Sequence, residues 1–414
     1  MPFWSKAKPR PDRQSRSAPP QRKASAAAAT GHAMWRDMSG PWPRWSYTQS
    51  ASDALSTNPV VQRCLRLITE SAASIGWKVY EDGAHLSDHP LVSLLACPNP
   101  LSSRSALTEA VISHLLLHGN AYIEKVLDED ASRAVELYVL RPDRVDVKPG
   151  ASGWPERYVY KVGGQSAAFP VDPVSGASRI LHLKTHNPLD DHYGQSALQA
   201  AGRALALHSA ADGWSKALLE NAARPSGALV LKSESGWPTL SEEQFSRLRA
   251  QVEENFQGQA NAGRPMILEG GLSWQPMGFS PADMDFQATK QAAARDIALA
   301  FGVPPMLLGI PGDNTYANYQ EANKALWRLT VLPLLRKLID ALNQWLVHPV
   351  GPRLELRLDD MTIPALAEDR DAHWRRIAAS DFLSNDEKRA LLNLPPVQGD
   401  VPNSRTRDDN SNTS

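Results

Sequence analysis

Between Ser280 and Leu346 the chain commits to a helix, an abrupt stop, a polar loop and a second long helix, and few folds accommodate that order. The stretch reads SPADMDFQATKQAAARDIALAFGVPPMLLGIPGDNTYANYQEANKALWRLTVLPLLRKLIDALNQWL. Ser280 is an N-cap residue and Pro281 stands in the first turn, where its missing N–H costs nothing. The helix stops at Phe301-Gly302-Val303-Pro304-Pro305, because Gly302 supplies a left-handed terminus and two prolines forbid continuation. A loop over Ile310–Thr315 follows. Beyond it Leu326, Leu329, Leu332, Leu335, Ile339, Leu342 and Leu346 recur at helical spacing and predict one apolar stripe. Pro333 lies inside that stripe and predicts a kink.

A second long helix is predicted upstream, over Ser196–Asn221, rich in Ala and stopped by Pro225. Residues 226–279 separate the two as a compact insert: strand Gly227–Leu231, helix Ser241–Phe256, then strands Pro265–Leu268 and Leu272–Met277. Ser241 with Gln244 forms a capping-box pattern. The free ends of the flanking helices must lie side by side for so small an insert to span them.

Nearer the N-terminus, Asn58-Pro59 opens a helix whose stripe is Val61, Leu65, Ile68, Ala72 and Ile75; Gly76 ends it and Trp77–Tyr80 reads as a strand. The segment from Pro90 gives a short helix, a Pro-Asn-Pro turn, a longer apolar helix and a strand from Tyr122, with His118, Gly119 and Asn120 as a turn signal. Over residues 135–185 the period changes to short β-branched and aromatic runs, VELYVL, RVDV, RYVYKV and RILHL, which predict a small β-rich unit. Arg353–Arg357 alternates as a strand, and two helices follow at Leu366–Ala379 and Asn385–Asn393, the second with a Ser384/Glu387 capping box. The class is α+β.

Chemistry is conspicuous by what these residues do not spell. There is no GxxxxGK[ST] phosphate loop, GxSxG elbow, HExxH or paired CxxC, so no enzymatic role and no cofactor are expected. His182 and His186 are four apart, but on a strand that spacing does not present paired metal ligands. Cys64 and Cys97 read as small buried thiols in a reducing compartment. With 44 basic and 45 acidic residues the chain lacks the basic excess expected of a tight DNA-backbone binder. At 414 residues, two or three domains are expected. No apolar run approaches the ~18 residues needed to span a bilayer, and the first fifty lack a secretory core, so a soluble protein made in the cytoplasm is expected. Those fifty residues hold Pro, Ser, Ala, Lys and Arg, with only Asp12 and Asp37 acidic, and are expected to be disordered or an extended arm. Trp35, Trp42 and Trp45 would let the arm dock on a neighbouring subunit, the alternative being loose nucleic-acid contact. The tail, 403–414, is polar and expected to be disordered.

Several strings taken together carry a resemblance. FGVPPMLLG followed by NTYANYQEA and a Leu-rich helix broken by TVLPLL is similar to the portal proteins of tailed phages. So are HPLVSLLACPNP, LLLHGNAYIE, the turn Tyr193–Leu198 and the ending LSNDEKRALLNLPPVQGDVPN. The branch resembled serves capsids of the Hong Kong 97 type and includes portals of phage-like gene transfer agents. The likeness runs from about Asn58 to Asn403.

The resemblance implies a portal fold assembled as a twelve-subunit ring at one capsid vertex of a virion or phage-like particle, made in the bacterial host. Such a ring passes double-stranded DNA during packaging and ejection, and its partners are the major capsid protein, the large terminase and a head-tail adaptor. On this chain it implies an arm (1–50), a wing (51–195), stem helix 1 (196–224), a clip (225–279), stem helix 2 (280–303) and a tunnel loop (304–318). A kinked tunnel helix with a returning wing strand (319–364), a short helical crown (365–402) and the tail follow. The implied tunnel-loop residues are Asp313, Asn314, Thr315, Tyr316 and Asn318. Lys290 and Arg295 are the expected channel lining of the stem. Glu242, Glu243, Arg247, Arg249, Glu253 and Glu254 are expected to meet partners from the clip. The crown is shorter and the arm longer than the commoner pattern.

The competing reading is a sequence-specific DNA-binding protein whose last two helices form a helix-turn-helix. Leu391, Leu392 and Leu394 would give its second helix an apolar face, and Asp386 and Glu387 at its start suit phosphates poorly.

Overall fold

In the computed structural model the described residues are 47–130, 133–220, 227–231, 241–247, 250, 272–276, 286–311 and 316–392. The expected arm up to residue 46, the strand Pro265–Leu268 and the tail lie outside them.

Helix α1 (Tyr47–Thr57) opens the described chain, so the last residues assigned to the arm are helical instead. Among its residues whose burial is described, the buried ones are Ala51 and Ala54, too small to give a sequence stripe. Helix α2 (Pro59–Ala73) starts where expected: the Asn58 carboxamide oxygen accepts the N–H groups of Val60 and Val61. Val61, Cys64, Leu65, Ile68 and Ala72 are buried along it. Strands β1 (Trp77–Glu81) and β2 (Ala84–Leu86), then α3 (Pro90–Ala96) and α4 (Arg104–His118), complete this layer. Cys64 is buried as expected, and burial pushes its thiol up to about 12. Cys97 is exposed, contrary to expectation; it is the C-cap residue of α3, beyond the helix's buried face of Leu91, Leu94 and Leu95.

The β-rich unit contains β3 (Asn120–Leu127), β4 (Ala134–Leu140), β5 (Val145–Pro149), β6 (Pro155–Val162), β7 (Gln165–Pro170) and β8 (Ile180–Lys184). They form two antiparallel three-stranded sheets, ordered β4-β3-β8 and β5-β6-β7. The first packs into the main core; the second closes a small cluster with Tyr122, Val145, Val147, Tyr158 and Phe169.

The helix predicted over Ser196–Asn221 is stepped: α5 (Ala197–Ala200), capped by Ser196, then α6 (Gly202–Glu220). Strands β9 (Gly227–Leu231) and β10 (Leu272–Pro276) pair antiparallel, so the chain leaves along α6 and returns along α7 (Phe286–Phe301). Between them residues 242–247 are helical, and the capping box is made in both directions, Gln244 N–H to Ser241 Oγ at 3.3 Å and Ser241 N–H to Gln244 Oε1 at 3.0 Å.

The Leu-rich helix departs from its expected regularity. Helix α8 (Tyr316–Leu326) runs into a π turn, Trp327–Val331, before α9 (Leu332–Leu342), and a second π turn follows at Asn343–Val347. Pro333 cannot donate a backbone bond, and Leu332 N–H reaches five residues back to Trp327. The extra residue in that turn shifts the stripe: Leu326, Leu332, Leu335, Ile339, Leu342 and Leu346 are buried, while Leu329 is 77% exposed.

Strand β11 (Leu354–Leu358), one residue later than predicted, pairs with β1 at the end of the order β11-β1-β2. Its other edge is closed by one side chain. Asn343, buried on the second π turn, donates to the Leu356 carbonyl at 2.9 Å and accepts the Leu356 N–H at 2.7 Å. Asn343→Ala strands both backbone groups in the core and is expected to lower stability by about 2–4 kcal/mol. Urea unfolding measures this; a loss under about 0.5 kcal/mol would contradict the edge-closing role.

A 3-10 turn at Pro364–Leu366 precedes α10 (Ala367–Ala378), and α11 (Asn385–Leu391) follows. The Ser384/Glu387 capping box forms, and Ile377 is the buried apolar residue of α10.

Candidate functional site

The predicted stop of the returning helix is realised. Gly302 adopts φ +69 and Val303 N–H bonds back to Ala298 at 2.9 Å. Pro304 and Pro305 turn the chain into a 3-10 turn, Pro305–Leu308, which Gly309 ends at φ +71. Thr330 Oγ1 donates to the Gly302 carbonyl at 2.6 Å, fastening the stop to the π turn. The root of the loop is thus rigid: Leu307 and Ile310 are buried, and the Arg295 guanidinium donates to the Pro311 carbonyl at 2.5 Å.

Among the expected tunnel-loop residues, Asp313, Asn314 and Thr315 lie outside the described residues. Tyr316 opens α8, and Asn318 is exposed in its first turn. The two expected stem cations already have partners in their own chain. Lys290 sits 2.5 Å from the Asp212 carboxylate on α6, and Arg295 holds Pro311. Glu242, Glu243 and Arg247 are exposed on the short helix 242–247; Arg249, Glu253 and Glu254 lie outside the described residues.

Helix α10 is bound to α8 and the π turn after it by charge. Lys324 bridges Glu368 at 3.1 Å and Glu321 at 3.2 Å, and Arg328 pairs with Asp369. Hydrogen bonding to Glu368 and Glu321 holds the Lys324 ammonium above its usual range. Glu368 and Asp369 stand in the first turn of α10, where the helix dipole favours them.

A polar corner that the sequence marks only as a turn lies where α4 meets β3. Asn120 is buried there, and its carboxamide oxygen accepts the Gly194 N–H at 2.9 Å. That fixed donor identifies the oxygen, so His182 Nε2, 3.0 Å away, donates to it. The amide nitrogen then donates to the His118 carbonyl at 3.2 Å and to His118 Nδ1 at 3.1 Å. His182 stacks on Tyr122 with ring centroids 4.4 Å apart. Desolvation holds His118 and His114 down at about 4 and, assisted by Lys184, holds His182 at about 3. The corner fixes Tyr193–Ser196, the segment that enters the outgoing helix pair. Helix followed by Gly-Asn was its sequence signal; the partners were not legible there.

Among the described residues, no three His, Cys, Asp or Glu side chains are grouped to hold a metal, and no helix is long and apolar enough to cross a membrane.

This arrangement has counterparts. Residues 59–393 match the family described as phage portal protein. A Rickettsia bellii protein of unassigned function is 43% identical over 348 residues, covering 84% of this chain and 89% of its own. The portal protein of Enterobacteria phage HK97 is 27% identical over 357 residues, covering 82% and 79%. A chain from the neck of a native gene transfer agent particle, computed with C12 symmetry, superposes with a TM-score of 0.64 at 49% identity, covering 89% of this chain and all of that one. With the family match spanning nearly every described element, from α2 to the end of α11, the chain belongs to the phage portal protein family.

Proposed function

We propose that the chain is the portal subunit of a phage-like particle and closes, twelve copies together, into the channel at one vertex through which double-stranded DNA passes. The observation that carries this is the order of parts. The chain with this order, an outgoing helix, a β9–β10 insert, a returning helix and a π-kinked helix, is as a whole 49% identical to a chain from a neck of twelvefold symmetry, which supports the reading. Rotation makes each exposed charge a ring of charges. A chain with net charge −1 suits a conduit, because a strongly basic wall would trap sliding DNA through counterion release.

In this reading 51–195 is the wing, 196–224 and 280–303 are the stem, 225–279 the clip, 304–318 the tunnel loop, 319–364 the kinked helix with its strand, and 365–402 the crown. The clip helix with Glu242, Glu243 and Arg247 faces the terminase during packaging and the tail adaptor afterwards. The wing faces the capsid protein. Asp313, Asn314, Thr315, Tyr316 and Asn318 approach the DNA, with Lys290 and Arg295 at the wall behind them. Engagement of both cations within the chain lowers their availability to phosphate and fits a passive channel.

Shortening the loop between Ile310 and Thr315 is the test. Its root is fastened independently by Arg295 and by Thr330, so rings are expected to form with normal yield. Packaged DNA per particle is expected to fall severalfold. Loss of the rings themselves, or unchanged packaging, would contradict the assignment.

A further inference from the structure

Several sheet edges in this chain are closed by side chains or loops, and β7 is left open. Asn343 closes β11, as above. On β4 the Leu137 N–H donates to the Pro98 carbonyl at 2.7 Å, and the Leu137 carbonyl accepts from the Asn99 carboxamide at 2.8 Å. On β5 the Val147 N–H donates to the Tyr193 hydroxyl at 3.0 Å, and Asp146, Lys148 and Pro149 guard the rest. Strand β7 reads QSAAFP, and before its terminal Pro170 it carries no charge, no proline and no bulge against β6.

Strand pairing decides which of its backbone groups are free. Gly163 and Gly164, at φ +56 and +83, make the two-residue turn from β6 to β7, so Val162 and Gln165 face each other as a hydrogen-bonded pair. The far end keeps the same phase, since Val171 N–H donates to the Glu156 carbonyl at 2.8 Å. Gln165, Ala167 and Phe169 therefore bond inward to β6. The N–H and C=O groups of Ser166 and Ala168 point out of the sheet edge. Both residues are exposed, and among the described residues no group outside the sheet bonds to either.

The face that an added strand would share is basic. Tyr158 and Phe169 turn into the small apolar cluster, so Arg157, Val159 and Lys161 share the opposite face with Ser166 and Ala168. Asp146 and Lys148 join that face from β5. Lys161 and Lys148 stand 2.6 and 3.5 Å from the Asp146 carboxylate, so Lys148, Arg157 and Lys161 share one acid. Arg157 itself is exposed and has no carboxylate partner among the described residues. Ser166 and Ala168 are too small to block its reach to the edge.

We propose that the β7 edge receives an extended acidic segment of another protein, paired through the main chain to Ser166 and Ala168, with its carboxylates on the face of Arg157 and Lys161. Main-chain bonds supply the affinity and the basic face selects the partner. The chain's own first 46 residues fit this edge poorly, since Asp12 and Asp37 are their only acids. The proposal goes beyond the portal reading and does not depend on it.

The probe is the peptide acetyl-TEVEVEVT-amide, added to the full-length protein, with acetyl-TKVKVKVT-amide as its comparison. Titration calorimetry reads binding, and deuterium uptake over residues 165–170 reads its place. The glutamate peptide is expected to bind, to slow exchange there, and to bind about tenfold more tightly than the lysine peptide. Ala168→Pro removes an outward N–H and leaves the ladder to β6 intact, so the urea midpoint should hold while binding weakens about tenfold. Ser166→Pro makes the same test where Ala168→Pro fails to fold. Arg157→Glu is expected to weaken the glutamate peptide about fivefold and to strengthen the lysine one. No binding up to about 1 mM, or binding untouched by both proline variants, overturns the proposal. Slow exchange over residues 165–170 in the free protein overturns it too. At every concentration that result assigns the edge to the chain's own segments, and only at high concentration it assigns the edge to a second copy.

Discussion

Gly119→Ala is expected to abolish accumulation of folded protein, while Gly83→Ala, at nearly the same backbone angle, is expected to be tolerated. Gly119 has φ +80 and Gly83 φ +82, so any side chain pays a similar left-handed penalty at both, about 1–2 kcal/mol. Their surroundings differ. A Cβ at Gly83 meets nothing within 4 Å; at Gly119 it lies 2.5 Å from the Gly194 carbonyl oxygen and 2.8 Å from the Gln195 carbonyl carbon. That backbone has no freedom to retreat. Gly194 N–H is bound to Asn120, and Thr185 ties both sides through its hydroxyl, at 3.1 Å to the Gly119 carbonyl and 2.5 Å to that of Gln195. The combined loss should exceed about 4 kcal/mol, a large share of the stability of an ordinary domain. Soluble yield and urea midpoints of the two variants read it directly. Equal destabilisation by both would show that the close approach of the two backbones carries no weight.

The second large effect is a loss of stability on mild acidification. His114, His118 and His182 are held neutral in the fold, at about 4, 4 and 3, against an unfolded value near 6.5. Because the folded values are depressed, the unfolded chain takes up protons first as pH falls. The stabilisation is complete above about pH 6.5 and is lost progressively from there toward pH 4. A group that stays neutral in the fold gives up about 2 kcal/mol between pH 6.5 and 5, and three interacting groups together about 3–5 kcal/mol. His118 has a structural reason to resist, since its Nδ1 accepts from Asn120 and a proton there would break that bond. Urea midpoints at pH 7, 6 and 5 should fall steeply, and His182→Phe, which keeps a ring against Tyr122, should flatten the slope. A profile flat from pH 7 to 5 would contradict the buried neutral cluster.

Local signals were legible in the sequence wherever a side chain or turn residue acts on its own neighbourhood. The Asn58, Ser241 and Ser384 caps, the Gly302-Val303-Pro304 stop and strand Gly227–Leu231 formed where the pattern placed them. Helix Tyr47–Thr57 escaped notice because alanines bury it, and alanines give no amphipathic contrast. The exposure of Leu329 was hidden for the opposite reason. A stripe at spacings of three and four looks the same whether or not a π turn adds a residue within it. Of the candidate site, the frame was legible and the pairings were not. That Lys290 meets Asp212, Arg295 meets Pro311, and Asn120 holds Gly194 depends on tertiary packing between elements distant in sequence. The likeness to phage portals rests on the order of many local motifs, which is why it could be seen without those pairings.

The most direct test of the account is the native mass of the purified full-length protein together with its end-on image by negative-stain microscopy. A closed ring near twelve subunits around a central hole is the predicted result, matching the C12 neck that the chain resembles. A monomer or dimer that persists at high concentration and in the presence of capsid protein would contradict it.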